Sequence, residues 1–277
     1  MQEGIKNMAG QRTGRWRLEQ AGLIFPAVAL GVLAMIHGGV PPVLWGQQIA
    51  AFFVFALLAN GLRHAGRRAP AAAWTALLLL VLALSLLGEE AGGARRWLDL
   101  GIFHVHAAML TLPALIAALC VTACPHPVLL GAAVVLSIQP DLAQLTAFSA
   151  AAVVIIVRCR RTRLWCMGSL LMLAGLVFWC VGKPVALEPV PYCEGILAML
   201  GDVSPLLKTA GIISLAAIPA GFVIGFLKEK QLALLSLSVY YAVLMLFVLS
   251  GNEPTPFMGF GLSPIAGYFL IFLCGLL

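Results

Sequence analysis

Charge is scarce in this sequence. Only 10% of its 277 residues are Asp, Glu, Lys or Arg, whereas a soluble domain carries about a quarter. Hydrophobic residues make up 62% and the mean hydropathy is +1.02, so a soluble globule with one large core is excluded. No CxxC pair occurs among the seven cysteines, which speaks against a zinc module. Cys180 and Cys193 can both fall on an oxidising side; a disulfide there is one option, and ordinary small apolar cysteines the other. No basic stripe with interleaved aromatics exists, so the net charge of +6 is not a nucleic-acid footprint. No cofactor motif is present either.

What is there is a series of long apolar runs. A bilayer core about 30 Å thick takes ~20 apolar residues per helix, or fewer when polar ends reach the interface. Clear spans cover 21–36, 43–62, 71–87, 105–121, 142–157, 164–181, 206–227 and 231–250, and two short ones cover 128–138 and 264–277. The first run follows Lys6, Arg12, Arg15 and Arg17, as a signal peptide would. It lacks a small-x-small cleavage site and reads as a retained helix. Pro26, Pro113 and Pro219 fall inside spans, where proline can kink a helix.

The basic residues set the orientation. With the N-terminus inside, 13 of the 17 lysines and arginines face the cytoplasm, as the positive-inside tendency requires. The signs agree only if the short 128–138 run crosses; otherwise Arg158, Arg160, Arg161 and Arg163 would face outward. The acids do the reverse. Glu89, Glu90, Asp99, Asp141, Glu188, Glu194, Asp202 and Glu253 all fall outside, eight of eleven. Acids contribute little to orientation, so their bias points to work on the outer face. Ordinary solvated loop acids remain the plainer reading for Glu89, Glu90, Glu188 and Glu253.

The expected architecture is therefore an all-α membrane protein of about ten transmembrane helices with a cytoplasmic N-terminus. Residues 1–20 form a basic cytoplasmic segment. Residues 21–277 form a single polytopic domain, with outer loops near 88–104, 139–142, 182–205 and 251–263.

Four outer segments carry a resemblance. They are Gly93-Ala94-Arg95-Arg96-Trp97-Leu98-Asp99-Leu100-Gly101-Ile102-Phe103, Gln139-Pro140-Asp141-Leu142, Glu194-Gly195-Ile196-Leu197-Ala198-Met199-Leu200-Gly201-Asp202, and Pro254-Thr255-Pro256-Phe257-Met258-Gly259-Phe260-Gly261-Leu262-Ser263. In this order and on this side, they resemble the SEDS family (shape, elongation, division and sporulation). The resemblance implies a multi-pass protein of the bacterial cytoplasmic membrane, bound in membrane lipid. Such a protein polymerises lipid II, the undecaprenyl-pyrophosphate-linked peptidoglycan precursor, in cell wall synthesis for shape or division. It also implies a class B penicillin-binding protein as partner.

The chain departs from the family pattern in places. The Gln-Pro-Ser-Glu that opens the family's fourth helix reads His106-Ala107-Ala108-Met109, and the lysine one turn on is Leu112. An acid and a base are thus absent. Glu194 stands at the family's catalytic Asp, and the paired Glu-Glu becomes Asp202-Val203.

Glycosyl transfer needs a base for the acceptor hydroxyl and positive charge for the departing pyrophosphate. Glu194 is the candidate base: it lies between Cys193 and an apolar run, with Pro189 and Pro191 upstream, and a carboxylate at the membrane edge is costly unless paired or functional. The plainer alternative is an interfacial acid paired with Lys208 or an arginine. Arg95 and Arg96 are the candidate pyrophosphate contacts, because guanidinium forks match phosphate oxygens, unless Glu89, Glu90 or Asp99 neutralises them. Asp141 and Asp202 are candidate substrate contacts, or caps of the helices that follow. A divalent cation bridging pyrophosphate to Glu194 or Asp202 is conceivable without a motif to support it. His104 and His106, at i and i+2, do not make a metal pair on one face. Two rival functions remain: a catalytically degenerate scaffold that binds a penicillin-binding protein, and a flippase for lipid-linked precursors.

Overall fold

The computed structural model describes residues 22–66, 69–101, 104–123, 125–158, 162–183, 185, 189–251 and 253–277, the side chains of 63–66 excepted. The basic N-terminal segment, Arg67, Arg68, Arg160, Arg161, Glu188 and the Ile102-Phe103 end of the first motif lie outside the described residues, as does the side chain of Arg63.

All ten expected spans are helices. They are α1 (Phe25–His37), α2 (Pro42–Gly66), α3 (Ala71–Leu84), α4 (Ala107–Val121), α5 (His126–Ile138), α6 (Leu142–Arg158) and α7 (Arg163–Val181). After a short helix α8 (Ile196–Val203) come α9 (Pro205–Glu229), α10 (Leu232–Leu249) and α11 (Leu262–Leu273). Four of them, from Pro42, Arg163, Pro205 and Leu232, are long and apolar enough to cross a bilayer by length and composition alone. The other six are shorter apolar helices, the doubtful 128–138 run among them. Pro26 sits in the opening positions of α1, where a missing N–H costs nothing; Pro113 and Pro219 lie inside α4 and α9.

Helix α8 was not expected in the 182–205 loop. It forms because Ile196, Leu197 and Leu200 share one face and are buried, the spacing of an amphipathic turn. That face packs against α1 and α9.

At the centre stands α4, buried along nearly its whole length and packed against α3, α6, α10 and α11. Its many alanines let neighbouring backbones approach, the usual means of helix association in lipid. The closest approach is at Gly267 of α11, where a Cβ would stand 2.1 Å from the Met109 carbonyl oxygen. Gly267→Val is therefore expected to push α11 off α4 and to cost at least ~1–3 kcal/mol by overpacking; thermal unfolding in detergent measures it. By contrast, α7 turns Leu164, Met167, Leu171, Phe178 and Trp179 outward. In water that surface would aggregate; in a bilayer it is the lipid face.

Candidate functional site

The site begins with a hairpin. Strand β1 (Trp97–Asp99) pairs antiparallel with β2 (His104–His106), Trp97 opposite His106. The turn uses Gly101 at φ +81°, and the Gly101 N–H donates to Asp99 Oδ1 at 2.8 Å. The two arginines directly before β1 part company. Arg96 turns into the bundle, is only 7% exposed, and donates to the Pro140 carbonyl. Its Nε lies 3.9 Å from Asp141 Oδ2. Arg95 turns out, 52% exposed at its side chain, and pairs with Glu90 at 3.4 Å. The two arginines expected as pyrophosphate contacts thus face different ways, Arg96 engaged inside the bundle and Arg95 outside it.

Asp141 has two duties. Its side chain is 0% exposed, and Oδ1 accepts from the Gln144 N–H at 3.2 Å, capping α6. Oδ2 faces Arg96 and also His106 Nε2 at 3.4 Å. His106 Nδ1 accepts from the Met109 N–H at 3.3 Å, so the proton of the neutral ring sits on Nε2, facing Asp141. Burial lowers the His106 pKa, and the nearby Asp141 charge only partly opposes this. Around the Arg96–Asp141 pair, Gln139 donates to the Leu82 carbonyl at 3.2 Å and to Ser85, and Gln144 accepts from Tyr240 at 2.5 Å.

The other two segments join from the opposite side. The Thr255 N–H donates to the Cys193 carbonyl at 3.1 Å, and the Phe260 N–H to the Tyr192 carbonyl at 2.8 Å. Gln48 of α2 holds the Phe257 carbonyl at 2.8 Å and that of Met258 at 3.2 Å. Gly259 fits because a Cβ there would lie 2.5 Å from the Cys193 oxygen. The His106 N–H donates to Ser263 Oγ at 2.8 Å, closing the ring of contacts. All four motif segments therefore meet at one end of the bundle.

Glu194 is half-buried in this platform, and its Oε2 accepts from the Val190 N–H at 2.7 Å. It lines a cavity of about 370 Å³ together with Lys208. The anticipated Glu194–Lys208 ion pair is not among the described contacts. Asp202 lies apart: it is exposed in the last turn of α8. It does not cap α9 as its position suggested, since Ser204 does, accepting from the Leu206 N–H at 3.2 Å. Cys180 and Cys193 are both free thiols, so the optional disulfide is not formed. Cys193 bonds the Phe260 carbonyl, and burial followed by the Glu194 charge pushes its pKa up to about 12.

Sequence reasoning missed Glu253. It is not a solvated loop acid but a buried one, 9% exposed. Burial, then the charge of Asp141, and also that of Glu194, push its carboxyl up to about 8, against the lowering pull of Arg96. Its place directly before Pro254-Thr255-Pro256 was the available signal. An acid whose folded pKa lies above its ordinary 4.5 ionises more readily when unfolded. Stability should therefore fall as pH rises from 4.5 to about 8 and then level off. Glu253→Gln should remove that slope in thermal unfolding; an unchanged slope would count against the burial of this acid.

Neither a family model nor a curated protein matches the chain. Solved structures do. A mutant form of the rod shape determining protein RodA from Thermus thermophilus is 24% identical, with 91% of this chain and 95% of that chain covered and a TM-score of 0.62. The unmutated RodA aligns at 24% identity over 92% and 95%, with a TM-score of 0.54. A chain of a peptidoglycan synthase complex that coordinates polymerization and crosslinking is 22% identical over 91% and 96%, with a TM-score of 0.63. At such identities the likeness establishes the fold: this is a RodA-like, multi-pass all-α membrane protein.

Proposed function

We propose that this RodA-like chain is a SEDS-type glycosyltransferase that polymerises lipid II on the outer face of the bacterial cytoplasmic membrane. The observation carrying this reading is the convergence of the four motif segments at one end of the bundle, where the third of them places Glu194 on the wall of a cavity. In the proposed reaction Glu194 takes the proton from an acceptor sugar hydroxyl. The freed oxygen attacks the anomeric carbon of the donor. The bond from that carbon to the pyrophosphate oxygen breaks, and its electron pair leaves with undecaprenyl pyrophosphate. Glu194 then returns its proton to water. A carboxylate fixed by a backbone N–H at the wall of an open cavity is placed for such work. Arg96, His106 and Asp141 hold the hairpin and the 139–142 turn against the reacting segments. They are positioning residues in this reading.

A class B penicillin-binding protein is the proposed partner, in keeping with the likeness to a chain of a synthase complex. The test is reconstitution on labelled lipid II, with and without candidate penicillin-binding proteins. Glycan polymer is expected. If no pairing makes polymer, the degenerate-scaffold reading takes its place. One observation favours that rival: Met109 and Leu112, at the SEDS acid and lysine positions, are buried and apolar. Co-purification of a penicillin-binding protein with an inactive chain would then be its signature.

A further inference from the structure

Four cations lie at the end of the bundle where the motif segments meet: Arg95, Arg96, Lys183 and Lys208. Three are engaged. Arg95 pairs with Glu90, and Arg96 is bound to Pro140 and Asp141. Lys183 donates to the Ser137 carbonyl at 3.1 Å and lies 5.2 Å over the Trp179 ring. Among the described residues, the Lys208 ammonium has no hydrogen bond, ion pair or ring contact.

Lys208 is also placed where a charge has work to do. Its stem crosses α8 over Gly201, where a Cβ would come within 3.1 Å of Lys208 Cδ. The glycine thus leaves the passage through which the lysine borders the Glu194 cavity. The remaining wall is largely apolar, with Leu197, Ile212, Val248 and Leu249 from α8, α9 and α10. An acid, a cation with no partner among the described residues and an apolar wall at the membrane edge suit an amphiphile with an anionic head. The head would meet the ammonium and the chain would leave along the helices.

We propose that the Glu194–Lys208 cavity binds the pyrophosphate head of a polyprenyl-linked lipid, with Lys208 as its cationic contact in place of Arg95 and Arg96. This inference rests on the glycosyltransferase reading for the identity of the lipid. It adds that the charge facing the leaving group comes from the first turn of α9 and not from the hairpin. Lysine is a point charge on a flexible stem and serves a phosphate without fixed fork geometry.

The test is binding without turnover. Radiolabelled undecaprenyl pyrophosphate is titrated against the full chain in phosphatidylcholine nanodiscs, with phosphatidylglycerol and inorganic pyrophosphate as competitors. Lys208→Gln is expected to weaken binding about tenfold or more, the scale of one lost charge contact, and Lys208→Arg to stay within about threefold of wild type. Neither competitor should displace the probe at matched concentration. Wild-type binding by Lys208→Gln would overturn the proposal. So would equal displacement by phosphatidylglycerol, which would make this a general anionic-lipid site, or by inorganic pyrophosphate, which would leave the apolar wall no part. Unchanged melting temperatures separate these results from misfolding. If polymerisation depends on Glu194 yet binding ignores Lys208, this inference alone fails. If binding depends on Lys208 but no polymer forms, the glycosyltransferase reading alone fails.

Discussion

Arg96→Ala should destabilise the protein by ~3–5 kcal/mol, the usual scale for removing one partner of a buried ion pair. The reason lies in what remains. Asp141 is fully buried, and without the guanidinium its carboxylate keeps the Gln144 N–H and the His106 ring but loses its cationic partner. The Pro140 carbonyl also loses its donor. Arg95→Ala, one residue away, removes an exposed pair with Glu90 and should change stability by no more than about 0.5 kcal/mol. Thermal unfolding in detergent measures both. The contrast between neighbours is the informative part, since charge count alone predicts equal effects. Asp141→Asn should also be costly, because it leaves Arg96 buried and unpaired while keeping much of the α6 cap. The double change Arg96→Met with Asp141→Leu should recover part of the loss; a double-mutant cycle without coupling would mean that the two groups do not sense each other.

The second large effect is at Glu194. Its carboxylate is fixed by the Val190 N–H at 2.7 Å within a turn in which Cys193 and Glu194 both donate backbone N–H groups to the Val190 carbonyl. Glu194→Asp keeps the acid but withdraws it by one methylene and gives up that bond. A displacement near 1 Å can lower a rate by ~100-fold, so the initial rate of polymer formation should fall by about that factor. Loss of general-base catalysis costs ~100- to 10,000-fold, so Glu194→Gln should fall at least as far. If Glu194→Asp polymerised as fast as wild type, the local geometry of this loop would be irrelevant to the chemistry.

Much of the architecture was legible in the residues. Apolar runs of bilayer length are an unambiguous signal, and the arginines after position 157 required the short 128–138 run to cross. The order and side of the four outer motifs announced that they belong together. What stayed hidden depends on directions that a linear pattern does not carry. Adjacent arginines look equivalent until the fold sends one inward and the other out. Glu253 reads as a loop acid because its burial comes from partners far away in sequence, Cys193 held to Thr255 and the α2 glutamine held to Phe257. Helix α8 was overlooked because eight residues inside an expected loop give too few turns for a periodic pattern. Lys208 reads in the sequence only as a partner for Glu194; that its stem passes over Gly201 to border the same cavity is a matter of helix crossing.

The most direct test of the central claim compares wild type with Glu194→Gln, matched for melting temperature, on labelled lipid II in the presence of the best-performing penicillin-binding protein. The glycan product is resolved by length. The account predicts long polymer from wild type and at least ~100-fold less from the variant. Equal polymer from a properly folded Glu194→Gln protein would contradict it and remove Glu194 from the chemistry.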